Sequence, residues 1–125
     1  MYQIAVILTD AKRRILWVNE AFTRITGYSY EEAVGRIPGD LLQGPLTEEE
    51  AIEQIRDGLR KMVPVQSDIT NYRKNGAPYL CKLVIHPVFA NEKDLTNFIA
   101  FEVDGDKLEE NEEVPLLQID TKYRS

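Results

Sequence analysis

Cys81 and His86 are the only cysteine and the only histidine in the sequence. One of each cannot assemble a structural zinc site, so no metal is expected. A single cysteine forbids an internal disulfide. A secreted disulfide scaffold is therefore excluded, and a reducing compartment is the default. His86 precedes Pro87 in an extended stretch, and a strand histidine without a catalytic role is the expectation. The serines are Ser29, Ser67 and Ser125, and none stands in a nucleophile-elbow context. The one base beside Cys81 is Lys82, which a strand would turn to the opposite face. No catalytic or metal set is completed, and what remains are polar side chains of the kind that orient a bound molecule. Buried, Glu102 would have its carboxyl pushed toward the neutral form by desolvation, and it would favour a cationic or hydrogen-bond-donating ligand. A lone acid in a cavity, Glu102 or Asp40, does not make a catalytic set. No enzymatic activity is expected of this chain.

These residues need elements to place them. Residues 3–9 and Ile15–Val18 are short apolar runs around a polar tip, the pattern of a β-hairpin. Asn19 is a good N-cap for Glu20–Thr26, with Gly27 as its stop. Ser29-Tyr30-Glu31-Glu32 is a capping box opening a short helix that ends at Gly35. Leu41-Leu42-Gln43 could form a helical turn. Thr47-Glu48-Glu49-Glu50 is a second capping box, and the helix it opens should run to about Met62 on the stripe Ala51, Ile52, Ile55, Leu59, Met62. Val65–Tyr72 alternates with Val65, Ser67, Ile69 and Asn71 on one face. Asn75-Gly76 marks a hairpin to Pro78–Val88, and Leu95–Val103 is the last strand. The fold class is α+β: a five-stranded antiparallel sheet, with short helices and one longer helix on one face, in the order ββααααβββ.

The chain has 125 residues, enough for one domain with a real core. Its net charge of −6 is uneven, because Asp104–Glu113 holds six acids against Lys107. No basic face suggests nucleic acid. No stretch is long and apolar enough for a membrane span, and no signal peptide is evident, so a cytoplasmic location is expected. Residues 105–125 read as an acidic C-terminal tail or linker, helical or packed on a partner.

The phrases Trp17-Val18-Asn19-Glu20-Ala21-Phe22, Thr26-Gly27-Tyr28-Ser29, Gly35-Arg36, Leu42-Gln43-Gly44-Pro45 and Asn71-Tyr72-Arg73-Lys74-Asn75-Gly76 resemble the PAS domain superfamily. The likeness is strongest to its LOV branch, the flavin-binding blue-light sensors, and it covers residues 3–104. It implies a sheet cupping a small-molecule cavity beneath short helices. It also implies that Glu32 and Lys74 meet as a surface salt bridge. LOV photoreceptors carry Asn-Cys-Arg between the Gly-Arg turn and the Leu-Gln pair. Here the stretch Gly35-Arg36-Ile37-Pro38-Gly39-Asp40-Leu41-Leu42-Gln43 is one residue longer and has no cysteine. Asp40 stands near where the flavin phosphate would lie. Of the family's polar flavin contacts, Gln43 and Asn71 survive, while Cys81 and Glu102 replace an asparagine and a glutamine. On that count no cofactor is expected, flavin included.

The expected function is a sensory and protein-interaction PAS module of a signal-transduction protein. The expected partners are a second copy, bound through the sheet face, and an output domain: a histidine kinase, a diguanylate cyclase or a transcription regulator. Small-ligand sensing would be an added role. The alternative is a non-covalent flavin-binding photoreceptor or redox sensor.

Overall fold

A computed structural model describes residues 2–119. The part of the expected tail at 120–125 lies outside them. In chain order the elements are β1 (Ala5–Asp10), β2 (Ile15–Val18), α1 (Glu20–Thr26), α2 (Tyr30–Ala33), α3 (Pro38–Leu42), α4 (Glu49–Lys61), β3 (Val65–Tyr72), β4 (Pro78–Phe89) and β5 (Leu95–Asp104). They form one antiparallel sheet ordered β2-β1-β5-β4-β3, so the first and last strands pair at its centre. The α+β order ββααααβββ expected from the sequence is the observed one.

Local chemistry sets most boundaries. Asn19 Oδ1 accepts from Phe22 N at 3.1 Å and caps α1. The same amide also accepts from Val6 N and donates to Ile4 O, which anchors the helix to β1. Gly27 ends α1 at φ 83°, a left-handed position that suits glycine. The capping box of Ser29 and Glu32 forms as read.

The second capping box does not form. Thr47 Oγ1 donates to Thr70 O at 2.7 Å instead. The N-cap of α4 is Glu48, and its carboxylate takes Thr70 N and Thr70 Oγ1, each at 2.7 Å. β3 is an edge strand, so its outward backbone groups need partners. The start of α4 supplies them and loses its own side-chain cap.

Helix α4 packs on the inner face of the sheet, where Ala51, Ile52 and Ile55 meet Ile69 and Leu83. Gly58 permits that approach. A Cβ there would sit 2.0 Å from Val65 Cγ2, on a buried and stiff β-branched side chain. Gly58→Ala gains about 1 kcal/mol of helix propensity but forces overpacking that costs about 1–3 kcal/mol. Net destabilisation is the expected outcome in urea unfolding, and Val65→Ala in the same chain should recover part of it. Strict additivity of the two changes would mean that the contact is not the cause.

The outer face of the sheet is partly covered. After β5 the chain makes 3₁₀ turns at Gly105–Lys107 and Pro115–Leu117. Val114 and Leu117 are buried against Val84 and Val103, with Tyr2, Ile4, Phe101 and Leu108 around them. The acidic stretch is therefore a strap over the sheet, not a continuous helix.

Candidate functional site

The inner face of the sheet, with α3 and α4, borders a partly open cavity of about 730 Å³. Its apolar wall comes from Ile7, Ile69, Leu83, Phe98 and Ala100, with Ile52, Ile55 and Leu59 opposite from α4. Strand alternation places the sheet residues: Ile7 and Thr9, Ile69 and Asn71, Leu83 and Ile85, and Phe98 and Ala100 are each two positions apart and line the same face.

Gln43, Asn71 and Glu102 all line the cavity. Gln43 follows α3 directly, with its side chain against Gly39. Asn71 is buried near the end of β3. Glu102 pairs with Ala5 on one side and Leu83 on the other, both inward-facing, and this register turns its carboxyl into the cup. Burial pushes its pKa up to about 7, with the Cys81 thiol pulling weakly the other way.

Cys81 does not line the cavity. It is buried among Ala51, Ile69, Tyr79 and Leu83, and its Sγ donates to Glu102 Oε1 at 3.4 Å. Burial, then the neighbouring Glu102, raises the thiol pKa well above its ordinary value, so the thiol is unreactive at neutral pH. Tyr79 is buried beside it, and among the described residues its hydroxyl has no hydrogen-bond partner. Burial raises the Tyr79 pKa, and Cys81 and Glu102 add to the effect. Asn71 and Arg73 oppose it.

Glu32 and Lys74 lie at the surface, with Lys74 Nζ 2.6 Å from Glu32 Oε2. The hydrogen bond from Lys74, then that from the Ser29 backbone, lowers the Glu32 pKa. His86 faces away from the cup, edge-on to Phe101 at 6.4 Å between ring centres. Among the described residues no cluster of His, Cys, Asp and Glu could hold a metal ion.

Sequence reasoning passed over three cations. Arg13, Arg56 and Arg60 are exposed and line the cavity, so they stand on its rim with Asp40. Arg56 and Arg60 each follow a residue of the apolar stripe of α4, at Ile55 and Leu59. That adjacency was the readable signal: side chains flanking the buried stripe of a helix border whatever the stripe covers. Arg13 sits in the β1–β2 turn at φ 71°, and only the fold brings it near α4.

A sheet cupping a partly open, mainly apolar cavity with a few convergent polar groups has the geometry of a small-molecule-binding domain. The chain belongs to the PAS domain family, whose pattern matches residues 3–104, and within it to the LOV-like branch. It is 39% identical over 90 residues to Protein TWIN LOV 1 of Arabidopsis thaliana, covering 71% of this chain and 22% of that protein. It is 37% identical over 90 residues to a blue-light-activated histidine kinase of Brucella anthropi, covering 72% of this chain and 18% of that protein. A structure solved in work on a flavin analogue and the light-oxygen-voltage domain mechanism superposes with a TM-score of 0.79. The two are 27% identical over 84% of this chain and 79% of that one. The chain spans less than a quarter of the length of either curated relative. It is a sensory PAS module, and the homologous domains are sensory and non-catalytic.

These findings correct one expectation. Flavin was not expected, because several polar contacts of the family are missing. The Brucella anthropi relative is a blue-light-activated histidine kinase and the matched structure comes from work on a flavin analogue, so the missing contacts do not exclude the cofactor. The physical reason is that such a ligand is held largely by apolar area. The residues present fit the group. The wall is apolar on both sides, Asn71 and Glu102 offer polar atoms at one end, and rim arginines offer charge for a phosphate.

Proposed function

We propose that this chain is a LOV-type module that holds a flavin non-covalently and passes its state to an output domain in a longer protein. The observation that carries the reading is the cavity itself: about 730 Å³, apolar on its faces, polar at one end and cationic at its rim. A bound flavin would supply blue-light absorption and reversible reduction. Asn71 and Gln43 would orient its polar edge, Ile52 and Ile55 would exclude water, and Arg56 would pair with a phosphate. Cys81 is withdrawn from the cavity, and its thiol is held by Glu102. No covalent bond to the ligand is therefore expected from this chain.

The output unit is of the kind the relatives carry, such as a histidine kinase, and any catalysis belongs to it. A cytoplasmic location accords with the single buried thiol. We also place a homodimer contact on the outer sheet face around β2, away from the strap. Trp17 there is 44% exposed and pairs with Leu8, which in turn pairs with Ile99. Trp17→Lys should shift sedimentation toward the monomer.

The test of the main reading is reconstitution. Purified protein is incubated with riboflavin phosphate, passed through a desalting column and scanned in the visible. Co-elution of the flavin band is expected, and illumination should leave no band of a flavin–thiol bond. Protein that elutes colourless after saturation would overturn the reading and leave an interaction module.

A further inference from the structure

We propose that Glu102 makes ligand binding in the cup proton-linked, acting as a neutral carboxylic acid that donates a hydrogen bond to an acceptor on the ligand's ring edge. This role presupposes the flavin reading above and adds to it what selects the ligand. The ligand class is a planar heteroaromatic whose inner edge carries a carbonyl oxygen or an imine nitrogen.

The geometry isolates Glu102. Its side chain is buried and lines the cavity. Among the described residues its hydrogen-bond partner is the Cys81 thiol, which meets Oε1 and leaves Oε2 free. The polar and charged groups around it come from every neighbouring element. On β4 they are Cys81 and Tyr79, and on β3 Asn71. On β5 Asp104 lies two residues on, with Arg73 bonded to it at 2.6 Å. Across the cavity stand Asp40 on α3, Arg56 and Arg60 on α4, and Arg13 in the β1–β2 turn. None of these cations bonds Glu102. Arg60 pairs with Asp57 at 2.8 Å, and Arg73 is taken by Asp104 and by Ile25 O.

A buried carboxylate without a cation is costly, and the neutral acid removes that cost. Burial raises the Glu102 pKa to about 7, so near neutrality a small stabilisation decides its state. Protonated, it becomes a donor. An acceptor on the ligand then stabilises the protonated form. An ionised Glu102 would set one acceptor against another. Binding therefore takes up a proton wherever the free protein has lost one.

The test is the dissociation constant for riboflavin, read by fluorescence quenching on both sides of neutrality. Affinity should be level on the acid side and fall about tenfold per pH unit on the alkaline side. Glu102→Gln should give a level profile, because the amide donates at every pH. In the wild-type complex, the infrared carbonyl band of a buried carboxylic acid should persist at a pH where the free protein has lost it. That readout does not depend on the variant folding. A level wild-type profile, an unchanged slope in Glu102→Gln, or absence of the infrared band from the complex would each overturn the proposal while leaving flavin binding intact. No binding at any pH would overturn both.

Discussion

Arg73→Met should destabilise the domain by about 3–5 kcal/mol, the cost of stranding a buried carboxylate. The residue stands just past β3, at the turn into β4. Its Nη2 donates to Asp104 Oδ2 at 2.6 Å and its Nη1 to Ile25 O at 2.7 Å. The guanidinium also lies 4.3 Å from the centre of the Tyr79 ring. Asp104 is only 5% exposed, so water cannot take over when the cation is removed. One side chain thus joins the end of α1, the β3–β4 hairpin and the last residue of β5. Asp104 Oδ1 accepts from Asp106 N and fixes the first turn of the strap, so the loss should spread to that segment. Urea unfolding should show the drop, and hydrogen exchange should show faster opening of residues 105–117. Asp104→Asn should cost less, because the amide keeps a cap acceptor without a buried charge. Combining it with Arg73→Met should cost less than the sum of the two changes. A loss below about 1 kcal/mol in Arg73→Met would mean that the pair behaves as an exposed one.

The second large effect is a pH profile of the ligand-free protein. The Glu102 pKa rises from 4.5 in the unfolded chain to about 7 in the folded one. The folded form therefore holds this proton more tightly. The associated stability is complete below about pH 4.5 and is lost as pH rises through about 7, a total of about 3 kcal/mol. Glu102→Gln has no such proton to lose. The wild type should therefore weaken relative to this variant between mildly acidic and neutral pH, and the two curves should run parallel above it. Urea midpoints across that range would show it. Curves parallel throughout would mean that Glu102 is ionised and solvated in the folded protein. The two residues act at different levels. Arg73 holds the frame of the cup, and Glu102 sets the chemistry of its floor.

The strap bears on how the state of such a cup could travel onward. Glu102 and Asp104 are alternate residues of β5 on its inner face, and the strap begins immediately after Asp104. Val114 and Leu117 then cover Val84 and Val103 on the opposite side of the same strands. A change of packing inside the cup therefore has a short covalent and steric path to the segment leading out of the domain.

Much of the fold was legible in the sequence because its signals are local. The Asn19 cap, the Ser29–Glu32 box, the left-handed Gly27 and the period-two alternation of β3 each depend on a few neighbouring residues. Backbone sterics and nearby hydrogen bonds decide them before any tertiary contact forms. The Thr47 box was just as plain and did not form, because an edge strand 23 residues away offered its hydroxyl a different partner. The site shows the same division. Alternation alone did not say whether Glu102 faced in or out; its register against Ala5 and Leu83 decided that. Cys81, a candidate for the cavity wall, lies behind it, since the tyrosine and isoleucine packed around it close that part of the sheet. Arg13 reaches the rim only because the β1–β2 turn and α4 border the same cavity. Periodicity and caps are properties of consecutive residues, so the elements and their order can be read along the chain. Which polar group meets which, and which is cut off from water, depends on distances between residues far apart in the chain, and those are set when the sheet, α4 and the turns pack together.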